Sequence, residues 1–143
     1  MVTKVFSNDL ALAGSLHLES GDKASFVISG VVAGNTLQGK VVDRSGSIVL
    51  SKNYNGDPRT MAHAFCDDIV QTLTGHPGIA KSKIAFVSNR TGRKEIYLAD
   101  YDGSSGRQIT HDNGISVSPS LSPNARELAY TGYLSGYADI YLI

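Results

Sequence analysis

From Lys83 onward the chain repeats itself. Lys83-Ile-Ala-Phe-Val-Ser-Asn-Arg-Thr-Gly-Arg-Lys-Glu-Ile-Tyr-Leu98 aligns without a gap on Glu127-Leu-Ala-Tyr-Thr-Gly-Tyr-Leu-Ser-Gly-Tyr-Ala-Asp-Ile-Tyr-Leu142, a displacement of 44 residues that carries Lys83 onto Glu127. Ala85/Ala129, Gly92/Gly136, Ile96/Ile140, Tyr97/Tyr141 and Leu98/Leu142 are identical, and Ile84/Leu128, Phe86/Tyr130 and Glu95/Asp139 are conservative pairs. Glycines and Ile-Tyr-Leu triplets that keep register together are hard to reach by chance. A period of about 40–45 residues built from four short strands is the signature of a β-propeller blade.

The strands follow from the repeat. Ile115–Leu121 reads as an innermost strand closed by a turn at Ser122-Pro123-Asn124-Ala125. Glu127–Thr131 reads as the second strand, matching Lys83–Val87, and Asp139–Ile143 as the third, matching Glu95–Ala99. Arg107–Thr110 reads as a fourth, reached through Tyr101-Asp102-Gly103. Blades stack face to face, so inner strands are expected to be buried on both faces. Continuous apolar runs such as Ile84–Val87 fit that expectation.

The first eighty residues have a different grammar. Val2–Phe6 reads as a short strand, with Ser7, Asn8 and Asp9 capping a turn of helix through Leu10–Ala13. Phe26–Ala33, Thr36–Asp43 and Ser47–Tyr54 read as an antiparallel meander, with Gly34-Asn35 as a two-residue hairpin turn and Asp43–Gly46 as the next turn. Asp57-Pro58 then opens a helix, with aspartate as N-cap and proline in the first turn. Met61, Phe65, Ile69 and Leu73, with Ala62, Cys66 and Val70 beside them, form one broad apolar face directed at the meander. Gly75 and Pro77 end it. The expected fold class is therefore an α+β amino-terminal domain, an antiparallel meander with one packed helix, over residues 1–80. It is followed over residues 81–143 by the incomplete start of an all-β propeller, about one and a half blades.

Thirteen basic and thirteen acidic side chains cancel, and no Lys/Arg cluster exceeds Arg93-Lys94. A nucleic-acid partner is not expected from such a balance. No apolar run approaches the roughly 20 residues that span a bilayer, so no membrane insertion is expected. The start, Met1-Val-Thr-Lys-Val-Phe-Ser-Asn, lacks the apolar core of a signal peptide. If the native protein is exported, the expectation is that a leader has been removed.

The sequence presents no catalytic residue set. His63 and Cys66, three apart on the helix, have no second ligand pair for zinc, and ordinary packing is the favoured reading. No serine stands in Gly-x-Ser-x-Gly. Asp67-Asp68 point to different parts of a helix surface, and Gly103, Gly106 and Gly114 do not form a phosphate loop. No catalytic residue, cofactor or metal is expected. The candidate binding residues lie on loops joining the second and third strands, and one blade to the next: Asn89, Arg90 and Thr91, and His111, Asp112 and Asn113. Ordinary polar turns compete equally with a partner-contact role, and position on a rigid scaffold is the argument for contact.

Ser118-Pro-Ser-Leu-Ser-Pro123 followed by Glu127-Leu-Ala-Tyr130 resembles the repeat motif of the TolB family, the propeller component of the Tol–Pal system. Ile84-Ala-Phe-Val-Ser88 and Glu95-Ile-Tyr-Leu-Ala-Asp-Tyr-Asp-Gly103 resemble it too. The helix over Met61–Thr74, running straight into the repeat, resembles the last helix of that family's amino-terminal domain, and this order is the more specific signal. Where the motif usually carries Trp and Asp-Gly, this chain has Leu121 and Asn124-Ala125, with Asn124 expected to adopt the turn. The resemblance implies a periplasmic, non-enzymatic adaptor supporting outer-membrane integrity. Its implied partners are a Pal-like peptidoglycan-associated lipoprotein and TolA. The expectation is that the segment upstream of the first strand, which the family uses for TolA, is missing here, and this puts Pal first. An alternative shared with other propellers is the substrate gate of a prolyl-peptidase-like hydrolase. One and a half blades imply a fragment whose exposed strands over Ile115–Ile143 self-associate or are poorly ordered, while the region before about residue 82 folds independently.

Overall fold

The computed structural model describes residues 2–19, 21 and 23–143. Ser20 and Asp22 lie outside the described residues. The chain divides into two compact units, 1–81 and 82–143.

The first unit places two helices on one face of a three-stranded sheet. Strands β1 (Phe26–Ala33), β2 (Thr36–Asp43) and β3 (Ile48–Asn55) form an antiparallel meander in the order β1-β2-β3. Gly34 supplies the left-handed residue of the first hairpin, at φ 58°. In β2 the alternate residues Leu37, Gly39 and Val41 face inward. The helix over Pro58–Thr74 lies on β2 and β3. Asp57 caps its start, accepting from the Arg59 and Thr60 amides at 3.0 and 3.1 Å, and Gly75 ends it at φ 76°. The Phe65 ring lies flat on Gly39, with a Tyr54 ring 5.3 Å and a Phe6 ring 5.2 Å away. Leu10, Met61, Cys66 and Ile69 complete this core. After Gly75 the chain folds back on the helix, where Asp67 accepts the Ala80 amide at 2.7 Å.

Residues Val2–Ala13 are one helix, α1, which makes the longer one α2. This corrects the expectation of a strand at Val2–Phe6. Val2, Val5, Phe6, Asp9, Leu10 and Ala13 follow the helical spacing of one inward stripe, and this outweighs the β-branched residues at its start. Ser7, Asn8 and Asp9 are interior helix residues rather than caps. Asp9 is 1% exposed in the middle of that stripe, and its Oδ2 lies 2.6 Å from Nδ1 of His63 on α2. A buried carboxylate needs such a partner, and this pair joins the two helices.

The second unit holds two sheets: β4 (Lys83–Ser88), β5 (Glu95–Asp100) and β6 (Arg107–Gln108), then β7 (Ser116–Leu121), β8 (Leu128–Gly132) and β9 (Asp139–Leu142). The 44-residue displacement reproduces the pairing register. Ala85↔Leu98, Phe86↔Tyr97, Val87↔Ile96 and Ser88↔Glu95 become Ala129↔Leu142, Tyr130↔Tyr141, Thr131↔Ile140 and Gly132↔Asp139. The cross-strand aromatic pairs repeat as well, with centroids 5.8 and 5.5 Å apart, both at 26°. The α+β unit followed by propeller-type sheets is thus the expected fold class.

Two details depart from the sequence reading. Each sheet has three strands rather than four, because each displays a different three. The residues one period before β7 are the end of α2 and its Gly75–Pro77 stop, so the first sheet has no innermost strand and β4 is its edge. Ile84, Phe86 and Val87 are accordingly 41%, 37% and 37% exposed, while β5 is the buried strand. In the turn after β7, the left-handed residue is Ala125 at φ 53°, not Asn124. Asn124 works through its side chain, which accepts from the Arg126 amide at 3.0 Å and the Ser122 hydroxyl at 2.8 Å.

Three outcomes follow for stability, each measurable by denaturant unfolding of the whole chain. Phe65→Ala or Ile69→Ala is expected to cost about 2–5 kcal/mol; a change below about 0.5 kcal/mol would mean the α2 face is not a core. Gly39→Ala is expected to cost about 1–3 kcal/mol, because a Cβ there would lie 2.6–2.8 Å from three Phe65 ring atoms. Ala125→Gly is expected to gain about 0.5–1 kcal/mol by relieving a left-handed alanine, net of the glycine's own entropy. Destabilisation by that last change would show that the turn is not strained.

Candidate functional site

The turn Asn89–Gly92 between β4 and β5 closes on a Gly92 amide to Asn89 carbonyl bond of 2.8 Å, with Gly92 at φ 90°. Asn89, Arg90 and Thr91 are exposed. Arg90 is not free to wander: its guanidinium stacks 3.9 Å over the Tyr97 ring, which stacks in turn on Phe86. The turn therefore shows a fixed positive charge at the rim of the sheet.

The second candidate segment, between β6 and β7, is held at the same end by Glu95. That side chain, first in β5 and paired with Ser88 across the turn, is only 3% exposed. Its carboxylate accepts the Thr110 hydroxyl at 2.5 Å, the Asn113 amide at 3.1 Å and, more weakly, the Asp112 amide at 3.4 Å. The Thr110 hydroxyl oxygen also accepts the Ile96 amide at 2.8 Å. Just beyond, the Ser116 amide donates to the Lys94 carbonyl at 2.8 Å. One buried acid thus anchors the linker by charge-assisted bonds, which are stronger than neutral ones.

Within the linker the three candidate residues part company. His111 and Asn113 are exposed, Asn113 at φ 53°. Asp112 is half-buried, and its carboxylate accepts from the Ser116 hydroxyl at 2.8 Å and the Tyr130 hydroxyl at 2.9 Å. Burial, then the bond to Asp112, pushes the Tyr130 phenol up to about 12, so it remains a donor at neutral pH. Asp112 is placed as a structural acceptor, while Asn89, Arg90, Thr91, His111 and Asn113 form the displayed set. Glu95 and Thr110 were missed in the sequence. Their signal is the acid that precedes Ile-Tyr-Leu in both repeats, as Glu95 and as Asp139.

The first unit holds a second cluster, Asp9, Arg59, His63 and Cys66. The Arg59 Nη2 lies 3.3 Å from His63 Nε2. Arginine only donates, so Nε2 accepts, and Nδ1 carries the proton that is given to Asp9. A nucleophile would need that same Nε2, and here it faces a guanidinium. Burial, with the charges of Asp9 and Asp67, pushes the Cys66 thiol up to about 12, which makes it a packing residue rather than a reactive thiolate. Among the described residues no three His, Cys, Asp or Glu side chains gather to hold a metal. An open, largely apolar cleft of about 990 Å³ runs between α1 and β1, lined by Phe6, Leu10, Leu16, Ile28 and Phe65 among others. Among the described residues no helix is long and apolar enough to cross a membrane.

Comparison with known proteins places this arrangement. A family model described as the TolB beta propeller domain matches residues 70–143. The protein TolB homolog of Chlorobium luteolum is 52% identical over 91 residues, which cover 62% of this chain and 21% of that protein. The Tol-Pal system protein TolB of Geobacter sulfurreducens is 48% identical over 86 residues, covering 58% and 20%. The chain thus spans about a fifth of the length of these curated relatives. The crystal structure of TolB from Acinetobacter baumannii superposes with a TM-score of 0.81 over 99% of this chain and 43% of that one, at 22% identity, a likeness of fold. Since the matched family segment runs from the end of α2 through both propeller-type sheets and takes in more than half of the residues, the chain belongs to the TolB β-propeller family.

Proposed function

We propose that this chain is a non-enzymatic adaptor segment of a Tol–Pal system, acting in the periplasm through protein–protein contacts that support outer-membrane integrity. The observation that carries the reading is the pairing of a displayed loop set with a rigid mount. Arg90 is fixed by its stack on Tyr97, and His111 and Asn113 are fixed by the Glu95 anchor. Binding residues pre-positioned on a rigid scaffold lose little entropy on association. Relatives named as Tol-Pal system proteins support this reading over a peptidase gate. The proposed division of labour gives residues 1–80 to an amino-terminal domain and 81–143 to the blades. The first partner is a Pal-like peptidoglycan-associated lipoprotein, with TolA as a second.

The test is binding of the soluble domain of such a lipoprotein, followed by calorimetry. The double change Arg90→Ala and His111→Ala is expected to weaken binding by about tenfold or more, with only the small loss of stability, about 0.5–1 kcal/mol, that goes with losing the Arg90 stack on Tyr97. Undiminished affinity would move the contact to another surface. The apolar faces of β9 are exposed, with Ile140 at 77% and Leu142 at 67%. Self-association of the 143-residue chain at micromolar concentration is therefore expected by light scattering. A monodisperse monomer would contradict it.

A further inference from the structure

We propose that Asn113 is a site of self-modification: the Gly114 main-chain nitrogen displaces ammonia from the Asn113 side chain, and the carboxylate that results loosens the linker between the two propeller-type sheets. The chain has two Asn-Gly dipeptides, Asn55-Gly56 and Asn113-Gly114. In both, the glycine lacks the Cβ that would hinder its nitrogen from reaching the preceding side-chain carbonyl carbon. Both asparagines are exposed, so access to water does not separate them.

Hydrogen bonding does. Asn55 ends β3 opposite Thr36, and its Oδ1 accepts the Thr36 hydroxyl at 2.9 Å. The Gly56 amide donates to the Asn35 carbonyl at 3.0 Å. Both reacting groups are thus engaged by bonds that must break before they can meet. At the second dipeptide, among the described residues, neither the Asn113 side chain nor the Gly114 amide has a hydrogen-bond partner. The main-chain amide of Asn113 is tied to Glu95 at 3.1 Å, which holds the residue while leaving its side chain to swing onto the next nitrogen. The rate of such an intramolecular attack is governed by how often the two atoms meet in a reactive geometry.

Water is the only outside reagent the step needs. The Gly114 nitrogen bonds to Cγ of Asn113, the Cγ–Nδ2 bond breaks, and ammonia leaves with the amide proton. Water then opens the five-membered imide at either carbonyl. Opening at Cγ leaves aspartate. Opening at the main-chain carbonyl leaves isoaspartate, in which the chain runs through Cβ and Cγ and is one methylene longer. Either product puts a negative charge on the residue next to Asp112 whose amide is bound by the buried Glu95 carboxylate. Isoaspartate also adds length between that anchor and the Ser116 amide, which donates to the Lys94 carbonyl at 2.8 Å. The linker therefore slackens where β7 begins. This inference is independent of the adaptor reading, since it rests on the linker's own bonds.

The test ages the full 143-residue chain in mildly alkaline buffer, cuts it with trypsin and follows peptides 53–59 and 108–126 by mass spectrometry, with fragmentation separating Asn113 from Asn124. Conversion, a gain of about 1 Da, is expected to be about tenfold or more faster at Asn113 than at Asn55 in the folded chain. In denaturant, where the bonds at Asn55 are gone, the two rates are expected to converge. Gly114→Ala is expected to slow conversion at Asn113 by about tenfold. That variant keeps the fold, because a Cβ at residue 114 meets only ordinary contacts at 3.8 Å and Gly114 is not in the left-handed region. Amide hydrogen exchange at Ser116 is expected to be about threefold or more faster in the aged chain than in the fresh one, and unchanged in aged Gly114→Ala. Conversion at Asn55 as fast as at Asn113 in the folded chain, or none at Asn113, would overturn the self-modification. An unchanged Ser116 amide in the converted chain would overturn the loosened linker.

Discussion

The arrangement of the second unit depends on one buried acid. Removing a carboxylate from water is costly unless several donors replace the lost hydration. Glu95 meets that demand with the Thr110 hydroxyl and two successive main-chain amides, all from the segment that leaves the first sheet. The consequence is mechanical. The linker cannot leave Glu95 without stranding a buried charge, so it is delivered to Lys94 and Ile115 in one geometry, and β7 begins where the Ser116 amide meets the Lys94 carbonyl. Arg107 and Gln108, too short a strand to define a register alone, inherit theirs from the same anchor. Display of His111 and Asn113 is a by-product: the Thr110 hydroxyl and the amides of residues 112 and 113 are tied inward, which leaves the His111 and Asn113 side chains exposed.

In the first unit the equivalent constraint is steric. Phe65 reaches the sheet only because Gly39 has no side chain, and the ring occupies the space a Cβ would need. Close approach of helix and strand then brings Phe6 and Tyr54 against the same ring, so three elements share one aromatic contact. The Asp9–His63 pair adds direction to an otherwise apolar helix–helix contact. A hydrogen bond between two buried groups fixes the rotation of α1 on α2, whereas apolar side chains would tolerate several rotations.

These features were unequally legible in the sequence. Strand positions, the α2 caps and the register of both propeller-type sheets could be read because each depends on local chemistry or on the repeat. Asp57-Pro58 and Gly75 speak for themselves. The first helix was misread because Ser7, Asn8 and Asp9 are residue types that prefer helix caps, which placed the helix start too late. Asp9 instead belongs to the buried stripe, as an acid with a partner in His63. Ala125 in the left-handed position was missed for a related reason: sequence reading assigns that conformation to the residue type that prefers it, Asn124, and the side-chain bonds of Asn124 fix the turn one residue earlier. Of the candidate site, the two loops were legible as polar turns on a scaffold. The inward role of Asp112 was not, because nothing local distinguishes an acid that accepts from Tyr130 from one that faces water.

Burial in this fold is a property of neighbours rather than of strands. Ile96 and Ile140 occupy the same place in the same register beside nearly the same residues, yet one is fully buried and the other is 77% exposed. The difference comes from outside the pair of strands: Ile96 packs with Leu128 and Tyr130 of the following sheet, in a cluster that Ile109 joins. The same reasoning accounts for β4, whose apolar run would be covered by an inner strand but has the end of α2 one period upstream instead. A repeat therefore transmits pairing and side-chain direction from unit to unit, while each unit's exposure is written by what precedes and follows it. For this chain the consequence is that its two sheets, alike in backbone, present chemically different surfaces.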